Sequence, residues 1–203
     1  MIHLQRFLPV FVALALAASA GCGAQPDGHE HRHEGGTDRS PRKAPGFALI
    51  DQNGRKFSLE DVNGKAALVT FFYTSCPTAC PILMAKFQGV QKAMGDRVGR
   101  DVFLVAITVD PERDTPEALR RFGAKWGADL SGWVFLTGAP EDIAQVAKAY
   151  EVSYRKVRNG EIEHSAVIFV VDRERTIRAV HGGLMADTDG IVGDLRTVLA
   201  QRS

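Results

Sequence analysis

The chain has 203 residues, 45% of them hydrophobic and 24% charged, with a formal net charge of +1. This length suits one ordinary domain with a core large enough to fold unaided. Lys and Arg (25) nearly balance Asp and Glu (24) and no long basic run breaks the mixture, which argues against a nucleic-acid partner.

Residues 1–22 read as an export signal: Arg6 lends the start positive charge, Phe7 to Ala18 is apolar and small residues follow. Ala18-Ser19-Ala20 satisfies the small-x-small rule of ordinary signal peptidase. Ser19-Ala20-Gly21-Cys22 resembles a bacterial lipoprotein box, with Ser19 where Leu is usual. Lipidation of Cys22 is the preferred expectation, because it explains why a third cysteine sits between apolar segment and polar tail. Either cleavage exports the protein; with the lipid it is anchored to the membrane on the periplasmic or extracytoplasmic side. Outside the cytoplasm a close cysteine pair is a disulfide, a redox pair or a metal site.

Residues 23–45 are rich in Gly, Pro, His and charge without apolar periodicity, the pattern of a disordered tether. Its His29, His31 and His33 are either incidental to an exposed tail or a loose site that collects metal ions. The folded domain is expected over 46–203. Phe47 to Ile50 and Arg55 to Leu59 flank Asn53-Gly54, a strong hairpin signal. Leu68 to Tyr73 is a continuously apolar strand. A helix follows from about Thr78 to Met94, with Leu83, Phe87, Val90 and Met94 at helical spacing. Val102 to Val109 is a second buried strand. Thr115 caps the next helix and Pro116 suits its first position. Trp133 to Leu136 is a strand and Glu141 to Tyr150 a helix. Val152 to Val157 and Glu161 to Glu163 flank Asn159-Gly160, Ala166 to Val171 and Ile177 to Val180 form another hairpin, and Asp189 to Leu199 is a closing helix. Strands alternating with helices and ending in a hairpin plus helix give an α/β, thioredoxin-like sandwich, a mixed β-sheet flanked by helices with an N-terminal hairpin. No phosphate-cradling glycine loop and no Ser-His-Asp pattern is present.

Phe71-Phe72-Tyr73-Thr74-Ser75-Cys76-Pro77-Thr78-Ala79-Cys80-Pro81 places two of the three cysteines between a buried strand and a helix. In open α/β sheets ligands gather at that end of the strands. A helix amino terminus favours thiolate over thiol, so both Cys76 and Cys80 are expected to be acidic and reactive. Four-residue spacing lets two sulfurs converge on one ion. It permits a disulfide as well. Candidates for a third ligand are His164, His181, Met84, Asp110 and the tail histidines. His164 precedes a buried strand in a loop expected to face the cysteines, and is either a ligand or a hydrogen-bonding residue at a strand start. Met84 follows Cys80 by one turn but fits a core position. His181 reads as a surface residue at a strand end, and Asp110 as an orienting group or a turn residue. Soft thiolates with one imidazole favour copper(I) over zinc.

Those residues bring a family into view. The cysteine segment, Thr108-Val109-Asp110-Pro111-Glu112-Arg113-Asp114-Thr115-Pro116 and Glu163-His164-Ser165 together resemble the Sco/SenC family of copper-binding, thioredoxin-fold proteins over roughly residues 45 to 200. The resemblance implies that Cys76, Cys80 and His164 bind one copper ion. It further implies delivery of copper, or of reducing equivalents, to the copper-bearing subunit of cytochrome c oxidase or another exported copper protein. Thr78 stands where family members often carry Asp, which alters the site's electrostatics more than its ligation. A metallochaperone is the leading expectation, thiol-disulfide oxidoreductase activity of Cys76 and Cys80 the alternative, and peroxide reduction a third.

Overall fold

The structure, a computed structural model, describes residues 37–158, 160–182 and 184–201. The expected signal peptide, Cys22 and the histidines at 29, 31 and 33 lie outside them. In chain order the elements are β1 (Thr37–Asp38), β2 (Arg42–Lys43), β3 (Ala48–Asp51), β4 (Lys56–Ser58), β5 (Ala66–Phe72), α1 (Ala79–Met94), β6 (Val102–Thr108), α2 (Pro116–Lys125), β7 (Trp133–Thr137), α3 (Pro140–Ala149), β8 (Tyr154–Lys156), β9 (Ile162–His164), β10 (Val167–Val171), β11 (Thr176–Gly182) and α4 (Thr188–Ala200). Short 3₁₀ turns follow β4 and α1.

The main sheet runs β1-β11-β10-β5-β6-β7-β3-β4, with β2 also pairing along β11. β5, β6 and β7 are mutually parallel, while β10 joins β5 and β3 joins β7 antiparallel. Every residue of β5, β6, β7 and β10 is buried. Successive side chains on a strand point to opposite faces, so both faces of this central sheet are covered. α1 and α4 pack together against it, and α2 lies along β7. This is the thioredoxin-like α/β sandwich expected from the element order.

Local signals match. β3 and β4 pair about the Asn53-Gly54 turn, where Gly54 takes φ +76°. Thr115 accepts a hydrogen bond from the Ala118 N–H with Pro116 opening α2. The tether expected over 23–45 differs in its described part: β1 and β2 pair with β11 instead of hanging free. The pull is tertiary, since β11 has an open edge that backbone groups of a polar segment can satisfy without any apolar pattern of their own. No helix among the described residues is long and apolar enough to cross a membrane.

Strand direction positions the site. β5 ends at Phe72, and β10 runs back along it with Ile168 opposite Thr70, tied by the Thr70 hydroxyl donating to the Val167 carbonyl at 2.7 Å. The start of β10 therefore lies at the same edge as the end of β5. Residues just before Val167 meet residues just after Phe72.

Candidate metal centre

Cys76 lies in the loop between β5 and α1, half-buried, and Cys80 in the first turn of α1, buried. The Thr78 side chain makes no bond at the start of the helix. Instead the Cys80 N–H donates to Cys76 Sγ at 3.3 Å, so the sulfur takes an orphan helix donor that a capping hydroxyl ordinarily satisfies. Both cysteines are free thiols. His164 closes β9 two residues after Ile162, whose N–H donates to the Tyr73 hydroxyl at 3.2 Å. The Tyr73 and His164 rings meet edge to face, 5.9 Å between centroids. His164 Nδ1 faces the Ser165 carbonyl at 3.2 Å. A carbonyl only accepts, so Nδ1 carries a proton and Nε2 is the ring nitrogen left facing the sulfurs, able to donate to a thiolate while it holds a proton and to bind an ion through its lone pair once it does not. Nε2 is 3.6 Å from Cys80 Sγ.

The two sulfurs and the imidazole nitrogen all lie within 4.8 Å of one another, and among the described residues this is the one such grouping of His, Cys, Asp and Glu. One ion bonded at about 2.0–2.3 Å to each donor needs only a small closure of that triangle. The donor set therefore fits a soft, low-coordinate ion.

The two thiols differ, contrary to the expectation that both are acidic. Burial disfavours the Cys76 thiolate, but hydrogen bonding to His164 and to the Cys80 and Thr78 backbone outweighs it and brings this thiol down to about 6. Burial pushes the Cys80 thiol well above the usual range, and the neighbouring Cys76 and Asp114 add to the rise. One half-buried, reactive sulfur stands beside one masked sulfur. One cysteine in the loop and the other in the first turn of a helix that enters the core cannot be equally wet.

The other candidates fall elsewhere. Met84 is fully buried on α1 with the core. His181, expected at the surface, is 3% exposed and bonds Asp194 through Nε2 at 2.9 Å; β1 and α4 cover the strand end that the sequence left open. Asp110 is fully buried and pairs with Arg113. Two site residues had gone without a role. Tyr73 supports His164, and Asp114, fully buried, accepts from the Thr74 N–H at 3.0 Å, the Thr74 hydroxyl at 2.5 Å and the Thr108 hydroxyl at 2.5 Å. Asp114 thereby ties the cysteine loop to the end of β6. A second acid and its threonines clustered around Asp110-Pro111 were the available signal.

Fold and site define a thioredoxin-fold protein with a dithiol–imidazole centre. Residues 35–200 match the family model described as SCO1/SenC, and the chain belongs to that family. Among solved structures it is similar to a SCO1/SenC family lipoprotein from Bacillus anthracis str. Ames, at 29% identity and TM-score 0.72 over 79% of this chain and 98% of that one. It is similar to Bradyrhizobium japonicum ScoI with copper bound, at 32% identity and TM-score 0.66 over 77% and 99%. A third is BsSco, described as a member of the Sco family of cytochrome c oxidase assembly proteins with a disulfide switch, at 25% identity and TM-score 0.71 over 81% and 98%. The chain spans between 46% and 64% of the length of three curated relatives that it matches.

Proposed function

We propose that this chain is an exported copper metallochaperone in which Cys76, Cys80 and His164 hold one copper ion as cargo. It delivers the ion to the copper-bearing subunit of a respiratory oxidase or to another exported copper protein. The observation that carries this reading is the convergence, within 4.8 Å, of two sulfurs and an imidazole from segments 84 residues apart in sequence. Two thiolates and one imidazole select copper(I) among common ions, whereas a structural zinc site would enlist a fourth protein ligand. Three ligands with Cys76 partly exposed also leave a side open to an incoming donor, so the ion passes on by ligand exchange. The copper-bound Bradyrhizobium relative and the assembly role stated for BsSco support this assignment. Lipidation of Cys22 would hold the domain at the membrane where such a recipient sits, as the Bacillus anthracis lipoprotein suggests by analogy. The test is one-to-one copper(I) binding by the reduced protein and its loss in His164→Ala and Cys76→Ser; binding that survives both substitutions overturns the site.

The split between the thiols favours a second reading, thiol-disulfide exchange. The Cys76 thiolate attacks one sulfur of a target disulfide, forming a mixed disulfide and releasing one target thiolate. Cys80, once deprotonated to solvent, attacks Cys76, closing the Cys76–Cys80 disulfide and releasing the second target thiolate. Two electrons pass to the target and no metal is needed. A His164→Ala variant that still matures oxidase would support exchange; lost maturation with exchange intact would support delivery. The two roles exclude one another on one molecule, because the disulfide consumes both thiolate ligands, and tight copper(I) binding to the verified disulfide form would overturn that exclusion.

A further inference from the structure

We propose that Arg113 is a positioning residue for this metal centre: it grips the tip of the β8–β9 hairpin and so holds His164 over the cysteine sulfurs. The inference rests on the copper-binding reading above and adds to it the group that sets the third donor in place.

β8 and β9 pair only with each other, forming a two-stranded sheet apart from the main one. Such a hairpin is marginal by itself in water, so its anchors decide where it rests. Beside its turn, Ile162, opposite Lys156, is buried and its N–H donates to the Tyr73 hydroxyl, and at its base the Ser165 N–H donates to the Ser153 carbonyl at 3.0 Å. At its tip, Arg113 Nη2 donates to the Gly160 carbonyl at 2.8 Å, and Lys156 pairs with Glu112 at 2.5 Å. Both tip contacts come from the loop after β6.

That loop is itself well fixed. The Arg113 and Asp114 N–H groups both donate to the Asp110 carbonyl, at 3.1 and 2.9 Å. Buried Asp110 holds Arg113 through Nε, leaving Nη2 aimed at Gly160. Asp114, next in the chain, holds Thr74 and through it the cysteine loop. Five residues therefore set the cysteines and the histidine relative to one another, although the two ligand segments share no backbone pairing. Only a forked guanidinium serves both Asp110 and Gly160 at once. A lysine at 113 keeps the ion pair and gives up the bridge.

The experiment uses the reduced full chain as wild type, Arg113→Lys and Arg113→Gln. Amide exchange from Gly160 to His164 is followed without metal, copper(I) release to a competing chelator is followed after loading, and thermal midpoints are recorded. In Arg113→Lys the thermal midpoint should hold while hairpin exchange and copper release each rise about fivefold, the weight of one partly exposed charge-assisted hydrogen bond. Hairpin exchange or copper release at the wild-type rate in this variant would overturn the proposal. A lowered thermal midpoint with hairpin exchange unchanged would do so too, showing a structural role alone. Arg113→Gln leaves Asp110 unpaired; should it fail to fold, Arg113→Lys still decides. A wild-type protein that binds no copper through the three side chains would overturn both this inference and the function on which it rests, whereas normal wild-type binding with unaltered variant release overturns this one alone.

Discussion

Cys76 and Cys80 stand four residues apart, one in the loop before α1 and one in its first turn, and differ in chemistry because one sulfur meets solvent and donors and the other meets the core. The thiolate is the nucleophile, so alkylation of Cys76 in the reduced, metal-free protein should rise with pH through a midpoint near 6, the value to which its surroundings bring it. Cys80 should stay unmodified until alkaline pH or unfolding exposes it. Site-resolved alkylation by mass spectrometry checks both, and equal rates at the two sulfurs would contradict the split. Asp114 works at the same scale. Removing its carboxylate strands the Thr74 N–H and two hydroxyls in a buried place, so Asp114→Ala should lower stability by about 2–3 kcal/mol in urea unfolding. It should also make Cys80 alkylate faster, since Thr74 anchors the loop. The residue types at these positions were visible in the sequence; their unequal burial was not.

Elements follow local signals closely where packing and propensity agree. The apolar run of β5, the Asn53-Gly54 hairpin and the Thr115-Pro116 start of α2 fall within a few residues of their expected places. Each signal is written within about five residues of the chain, so no distant partner is needed to read it. β1 and β2 are the opposite case, since only the edge of β11 recruits them. The approach to β7 shows how tightly neighbouring elements are set: a Cβ on Gly132 would lie 2.0 Å from the Gly99 nitrogen. Backbone must move to admit it. Gly132→Ala should therefore destabilise by about 2–4 kcal/mol, and chemical denaturation against wild type checks this.

At the scale of the whole molecule, β1, β11 and α4 converge on His181. Burial lowers its pKa from 6.5, opposed by Asp194 and assisted by Arg39. The unfolded chain then binds a proton more readily than the native one, so stability attributable to His181 is present above pH 6.5 and is lost as pH falls from there towards the lowered native value. Wild type should lose more thermal stability between pH 7 and 5 than His181→Gln does, and parallel loss in both would contradict the assignment. The same contrast between local and distant information divides what could be known. Legible in the residues alone were the order of elements, the placement of two cysteines at a strand-to-helix junction and the resemblance that singled out His164 among several candidate ligands, because periodicity, turn chemistry and motif spacing are local. That His164 meets the sulfurs while His181 is buried beside Asp194, that Cys76 and Cys80 titrate apart, and that residues 110–114 brace both ligand segments came from packing in three dimensions. Those outcomes depend on the register of β10 against β5 and on which groups water can reach, and both arise from contacts between segments far apart along the chain.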